Sequence, residues 1–328
     1  MQIYILLTNN CNLSCSHCIR SDKSNTTLSK EELNILFSNV NFSNNQIIFT
    51  GGEPSLHPDF SYVLEEASKK AKKITICTNG INNYYFEKIK NLNIHIQFSI
   101  DGNRKYHNKI RGLDSFDKIL KNIQLAKRYD ISHSISTVVN KLNINSIDEM
   151  LDELRKFVKS GYIRFNTQMN FGNSSEEDIL SIEEWNSFVD KIKSVEFPIQ
   201  IRADKLFDFD AVEKLSCDEL AMLSKNAVKN CGTCTHKVYI YPDLNVYSCT
   251  CLDSFPIGNL KEDSLDKILL SESSKKYINY LPKLEQTCMD CKYLELCNGG
   301  CIGTAFHKYK EFGHGDPRCP KINKQQII

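Results

Sequence analysis

The chain has 328 residues, 41 of them basic and 40 acidic, for a net charge of +1, and 41% are hydrophobic. That length supports one large domain or two ordinary ones, and the balanced charge excludes bulk attraction to a nucleic acid or other polyanion. No apolar run reaches the length of a membrane span; the opening Met1-Gln2-Ile3-Tyr4-Ile5-Leu6-Leu7 lacks the basic start and small-residue cleavage site of a signal peptide, so a cytoplasmic chain is expected.

Strand one runs from Ile3 to Leu7, and Ser29-Lys30-Glu31-Glu32 makes a capping box for the helix that follows. A second strand, Ile47 to Phe49, leads into Thr50-Gly51-Gly52-Glu53-Pro54, and the helix after Pro58 carries Phe60, Val63, Leu64 and Ala67 on one face. Strand three, Ile74 to Cys77, ends at Thr78-Asn79-Gly80, and strand four, Ile94 to Phe98, ends at Ser99-Ile100-Asp101-Gly102. A helix with Phe116, Ile119, Leu120 and Ile123 at helical spacing comes next. Strand five, Ser134 to Val139, ends at Asn140, and strand six, Ile163 to Phe165, at Asn166.

Six successive βα units imply parallel strands joined by right-handed crossovers. The count predicts an α/β fold with a partial (β/α)6 TIM-like barrel; a doubly wound open sheet is the alternative. In such barrels chemistry sits on the loops at the C-terminal strand ends, where the polar residues above fall. After Gly172 the pattern breaks. Asn173 to Asp178 is a polar connector, a helix spans Ile182 to Val195, and from Cys217 cysteines dominate over short helices. The predicted division is residues 1–200 for the barrel and 201–328 for a small Cys-rich domain.

Fourteen cysteines stand out. Grouped at short spacings in a chain without an export signal, they point to metal-held thiols and not to disulfides. Cys11-Asn12-Leu13-Ser14-Cys15-Ser16-His17-Cys18 has the spacing C-x3-C-x2-C. Three thiolates are one short of a closed iron–sulfur or zinc site, and His17, wedged between two of them, would strain the loop as a fourth ligand. An iron left open for a substrate is the economical reading; a zinc knuckle or three buried thiols is the bland one. Further on stand Cys231-x2-Cys234, Cys249, then Cys288-x2-Cys291-x5-Cys297-x3-Cys301 and Cys319, with Asn298-Gly299-Gly300 giving the chain freedom to wrap. Eight thiolates suffice for two four-thiolate clusters, although C-x2-C pairs also bind zinc.

C-x3-C-x2-C directly after a first barrel strand resembles the radical S-adenosylmethionine (SAM) superfamily, and the later cysteines resemble its SPASM extension, the architecture of peptide maturases and sulfatase maturases. The resemblance implies three [4Fe–4S] clusters and SAM. Cys11, Cys15 and Cys18 would hold the cluster whose open iron binds SAM, and His17 takes a position that is usually aromatic and near the adenine. Gly51-Gly52-Glu53-Pro54 is similar to the family's GGEP motif, whose glycines leave backbone carbonyls free for the SAM ammonium. Ser99-Ile100-Asp101-Gly102, His107 and Arg111-Gly112 resemble the family's "S-I/L-D-G … H-D-x-x-R-G" segment, with Asn108 in place of Asp. By resemblance Ser99 and Arg111 contact the SAM ribose or carboxylate, for which Arg offers two parallel donors. Asn79, with Thr78 and Asn140, ends a strand at the same mouth, and Asp101 shapes its turn. Cys231, Cys234, Cys249 and Cys301 would take one auxiliary cluster; Cys288, Cys291, Cys297 and Cys319 would take the other. This interleaving follows the family and not the spacing. Leu244, in the turn before Cys249, stands where the family usually has Gly.

Three cysteines are left over. Cys77 is expected in the core, Cys217 as a spare ligand or buried thiol, and Cys251 as a buried thiol or a hydrogen donor. SPASM members mostly act on peptides and proteins. The leading expectation is a ribosomal precursor peptide as substrate, cross-linked within itself through carbon or a heteroatom, with flavodoxin or ferredoxin as electron donor and the auxiliary clusters taking the further electron. Cα epimerisation with Cys251 as donor is the alternative. A non-catalytic iron–sulfur or zinc protein that senses redox state or binds a partner is the alternative of another class. Thr250 counts against formylglycine formation, because those enzymes carry Asp directly after the cysteine matching Cys249. Because the chain opens on strand one, no N-terminal peptide-recognition domain is expected. A leader would then bind the barrel mouth, the Cys-rich surface or a separate protein.

Overall fold

A computed structural model of the chain describes residues 1–20 and 24–323; the Cys217 side chain lies outside the described part, and with it the expectation attached to that thiol. Seven strands, β1 (Gln2–Leu6), β2 (Gln46–Thr50), β3 (Lys73–Thr78), β4 (Ile94–Ser99), β5 (His133–Val139), β6 (Tyr162–Thr167) and β7 (Gln200–Arg202), lie side by side in chain order. All their pairings are parallel. When every crossover steps the same way with the same hand, all helices land on one face and the sheet curls around the other. A doubly wound sheet reverses its strand order part-way; this one does not, so the fold is the partial barrel.

The two faces of the sheet are chemically opposite. Ile3, Ile5, Ile47, Phe49, Ile76, Ile96, Phe98, Ile135 and Ile163 are buried on the helix side, packed in one core with Leu33, Leu36, Val63, Leu64, Ile119 and Ile123. Alternate positions face inward: Gln2 beside Gln46, Thr75 beside His95, Cys77 beside Gln97, Ser99 beside Ser136 and Arg164 beside Arg202 in register. A closed TIM barrel fills this space with branched apolar side chains; here it is polar, which keeps it available to water and ligands. Cys77 belongs to this inner face and not to the helix-side core.

The expected capping box closes on Lys30–Asn39, where Ser29 and the Glu32 side chain satisfy each other's backbone N–H. The helix Ile182–Lys193 starts on a second box from Ser181 and Glu184. Beyond the six strands read from the sequence, β7 has three residues, too few for an alternation signal. The Cys-rich part also continues the barrel sheet. There β8 (Lys237–Ile240) pairs parallel with the free side of β1, and β9 (Asn245–Tyr247) and β10 (Pro256–Asn259) follow antiparallel. Leu244 turns the β8–β9 corner at φ +64° with its side chain fully buried. That left-handed backbone costs a leucine about 1–3 kcal/mol, offset by the side chain's burial. Among the described residues no helix is long and apolar enough to cross a membrane.

Candidate functional site

The loop after β1 carries Cys11, Cys15 and Cys18, and backbone bonds anchor it on three sides. Gly52 N–H donates to Thr8 O (2.8 Å) and Glu53 N–H to Asn10 O (2.8 Å); Ser16 N–H donates to Ile110 O (3.1 Å) and Asn173 N–H to Cys18 O (2.9 Å). The glycines are required by these approaches. A Cβ on Gly51 would stand 2.3 Å from Thr8 O, one on Gly52 2.3 Å from Asn10 O, and one on Gly172 2.3 Å from Cys18 O. Gly51 and Gly52 therefore dock one strand end on the cysteine loop. Gly172 and Asn173 escaped the sequence analysis; the only signal was a Phe171-Gly172-Asn173 break after strand six.

Cys11 is exposed and Cys15 and Cys18 are half-buried. Burial pushes the Cys15 thiol up to about 11 against the pull of Arg111, and burial also raises Cys11, each thiol sensing its neighbours. Bare, these thiols keep their protons; iron replaces protons as the countercharge. Three thiols on one anchored loop, one side open, fit a cluster with a free iron.

Asp101 lies at the centre of the neighbouring wall, fully buried. Its Oδ2 accepts from Arg111 Nε (2.5 Å) and meets His17 Nε2 (2.8 Å), and its Oδ1 accepts from Val138 N–H (2.8 Å). Burial works against its charge, yet Arg111 and His17 outweigh burial and hold the carboxyl well below the usual carboxylate range. Burial works against Arg111 too, but Asp101 keeps it charged beside the cysteine loop. Asp101 thus ties the position before the third cysteine to the arginine. His17 Nδ1 and His107 Nε2 are buried without partners. His107 accepts at Nδ1 from Asp101 N–H, and burial, with Arg111 behind it, pushes it down to about 3.

Glu53 is placed differently from a cofactor contact. It is fully buried, and its two oxygens accept from Ser55 N–H and Oγ, Thr78 Oγ1 and Asn79 N–H at 2.6 to 3.2 Å. Four donors occupy its lone pairs, so it staples the ends of β2 and β3 together and acts on the site by position. Asn79 donates through Nδ2 to Asn12 Oδ1 (2.7 Å), which fixes the cysteine loop from a further side. Ser99, inward-facing in register with Ser136, is half-buried at the same mouth. Asn140 caps its own turn, accepting from Leu142 and Asn143 N–H.

The later cysteines gather in two places. Cys231, Cys249, Cys251 and Cys301 line one cavity of about 820 Å³ together with Arg164 and Arg202 of the barrel, and Cys234 senses Cys249 electrostatically. Cys288, Cys291, Cys297 and Cys319 line a small adjoining pocket, with Cys297 reaching the large cavity as well. Cys231 and Cys234 both take left-handed backbone, at φ +56° and +58°, strain of the kind held at functional sites. The thiols of Cys249 and Cys251 are hydrogen-bonded, which pulls Cys249 down and drives Cys251 up. The helix Ile302–Tyr309 carries His307, which meets Cys251 O (3.0 Å) and packs on Phe171, next to the Gly172 anchor.

Residues 5–154 match the radical SAM superfamily, and residues 224–292 match the SPASM iron–sulfur cluster-binding domain. The chain carries a radical SAM domain. It is an enzyme of that type with a SPASM domain, and these domains imply iron–sulfur clusters and SAM. The cysteine-type anaerobic sulfatase-maturating enzyme of Clostridium novyi is 28% identical, the match covering 90% of this chain and 85% of that protein. The Fe-coproporphyrin III synthase of Methanosarcina barkeri is 25% identical over 98% of this chain and 88% of its own. Streptococcus suis SuiB, solved bound to its precursor peptide SuiA, shares the fold with a TM-score of 0.78 at 16% identity, covering 97% of this chain and 75% of SuiB.

Proposed function

We infer that this radical SAM/SPASM enzyme is a peptide maturase that joins two positions of a ribosomal precursor peptide by a C–C or carbon–heteroatom bond. The observation that carries the reading is the cavity of about 820 Å³, walled on one side by the polar barrel face and on the other by Cys249, Cys251 and Cys301. Its volume suits a few residues of an extended chain, within the range of ordinary ligand sites. When bound, the SAM-carrying cluster supplies a 5′-deoxyadenosyl radical able to take a hydrogen atom from an unactivated C–H bond. The chain's residues would hold this machinery: Cys11, Cys15 and Cys18 the first cluster; Gly51, Gly52, Asn79, Ser99, Arg111 and His17 the SAM pocket, with Glu53 behind them. Cys231, Cys234, Cys249 and Cys301 would hold one auxiliary cluster and Cys288, Cys291, Cys297 and Cys319 the other, three [4Fe–4S] groups in all. A division near residue 200, a cytoplasmic location, a flavodoxin or ferredoxin donor and a separate leader-binding protein belong to the same proposal.

Support comes from a relative named for maturing a sulfatase and a fold neighbour solved with a precursor peptide. A second reading, Cα epimerisation, is favoured by one observation: the Cys251 thiol lines the cavity. It would return a hydrogen atom to the opposite face of the substrate radical, and the electron donor would then reduce the sulfur. Mass spectrometry of a candidate precursor peptide, after anaerobic turnover with SAM, separates the readings. A product lighter by two hydrogens is expected. An unchanged mass with a D-residue that disappears in Cys251→Ala would replace cross-linking by epimerisation, and turnover of a porphyrin but of no peptide would remove both.

A further inference from the structure

The inner face of the barrel holds two arginines side by side with no acid to answer them. Arg164 on β6 and Arg202 on β7 are partners in the parallel register, so their side chains leave the sheet on the same face, and both line the large cavity. Like charges at neighbouring positions repel, and sheets avoid them unless something between them compensates. Among the described residues neither arginine is within ion-pair distance of a carboxylate. The other basic groups around the cavity are accounted for: Lys205 pairs with Asp190 and Asp208, Arg318 with Asp316, and Lys237 acts on Cys249. Asp204, exposed on the same wall, pairs with neither arginine.

The pair is also oriented. The Arg202 guanidinium lies 3.8 Å from the Tyr162 ring centroid and donates through Nε to Gln200 Oε1 (2.9 Å). Stacking on one plane and pinning of Nε leave its terminal nitrogens as a fork directed into the cavity. Arg164 is exposed and, among the described residues, makes no hydrogen bond; it is close enough to Tyr4 on β1 to offset part of the rise that burial imposes on that phenol. His95 adds no charge to this wall: burial, with His133, Lys73 and Arg202 behind it, pushes its pKa down to about 4.

We propose that Arg164 and Arg202 form an anion subsite on the inner wall of the barrel that binds a carboxylate of the substrate and fixes which C–H bond faces the mouth. Planar forks match a carboxylate through paired N–H···O bonds. The subsite rests on the peptide reading for its occupant: an Asp or Glu side chain, or the chain's own C-terminus. It is distinct from the SAM wall, where Arg111 is already held by Asp101 beside Cys15.

The test is a ligand-observed NMR titration of the SAM-bound holoenzyme with N-acetyl-glutamate N-methylamide, its glutamine counterpart, N-acetyl-alanine and inorganic phosphate. The glutamate probe should bind about ten-fold more tightly than the glutamine probe, the usual worth of a charge-assisted pair. Arg164→Gln and Arg202→Gln should each abolish that preference, and Arg164→Lys should keep part of it. Among the described residues Arg164 satisfies no other group, so its loss leaves none of them unpaired. If N-acetyl-alanine binds more tightly than the glutamate probe, the occupant is a chain terminus; the reverse order assigns a side chain. Equal binding of the glutamate and glutamine probes, a preference untouched in both Gln variants, or phosphate binding more tightly than either carboxylate would overturn the proposal. A carboxylate preference without any modified peptide would remove the maturase reading alone; a modified peptide without the preference would remove the subsite alone.

Discussion

Cys11, Cys15 and Cys18 stand on one loop hung from a rigid parallel sheet, whereas the later cysteines are collected from segments between residues 231 and 319. In the first region the fold needs to hold only one stretch of backbone, and the crossovers supply anchors at Gly52, Glu53, Ile110 and Asn173. In the second, β8 to β10 share the barrel's sheet and core, but the stretch from residue 286 to 323 has little else to hold it. Its helices Gln286–Met289 and Leu294–Cys297 have four residues each, and its separate apolar cluster is Cys288, Cys319 and Ile322 with three partly buried neighbours. A segment with so small a core draws its stability from metal. On the proposed ligand sets, the barrel loop would present its cluster on a scaffold that already exists, and the C-terminal segment would be assembled around its own.

The largest effect that could break this contrast is iron removal. Chelation should leave the amides of β1 to β6 protected in hydrogen exchange while residues 286–323 exchange like an unfolded chain. Equal protection of both regions would mean that the C-terminal fold does not depend on metal. A smaller effect sharpens the barrel side. Asp101→Asn leaves Arg111 buried without its countercharge and should cost about 3–5 kcal/mol in urea unfolding of the holoprotein, with the iron of the C-terminal region unchanged. A loss below about 1 kcal/mol, the worth of an exposed pair, would show that Asp101 does not carry the wall.

Much of this was legible in the sequence where the signal is local. Strand and helix periods follow from which face each residue buries, so Phe60, Val63, Leu64 and Ala67 pack as their spacing demands. C-x3-C-x2-C is legible because its ligands share a loop. Glu53 was not, since nothing in Gly51-Gly52-Glu53-Pro54 reveals that Thr78 and Asn79, a strand away, supply two of its four donors. Cys77 looked like core because strand composition does not say which face is concave. The meeting of Cys301 with Cys231 and Cys249 is a tertiary fact that spacing cannot contain. The Arg164 and Arg202 pair stayed hidden because it depends on β7, too short to be read.

The central claim is that the Cys11–Cys18 loop carries the reactive centre and the later cysteines support it. It is tested most directly by measuring 5′-deoxyadenosine from the anaerobically reconstituted chain, with about twelve irons from three four-iron clusters, given SAM and dithionite. The account predicts nucleoside from the wild-type chain and none from Cys15→Ala. An iron-replete wild-type chain that leaves SAM intact, or a Cys15→Ala variant that cleaves it at the wild-type rate, would contradict it.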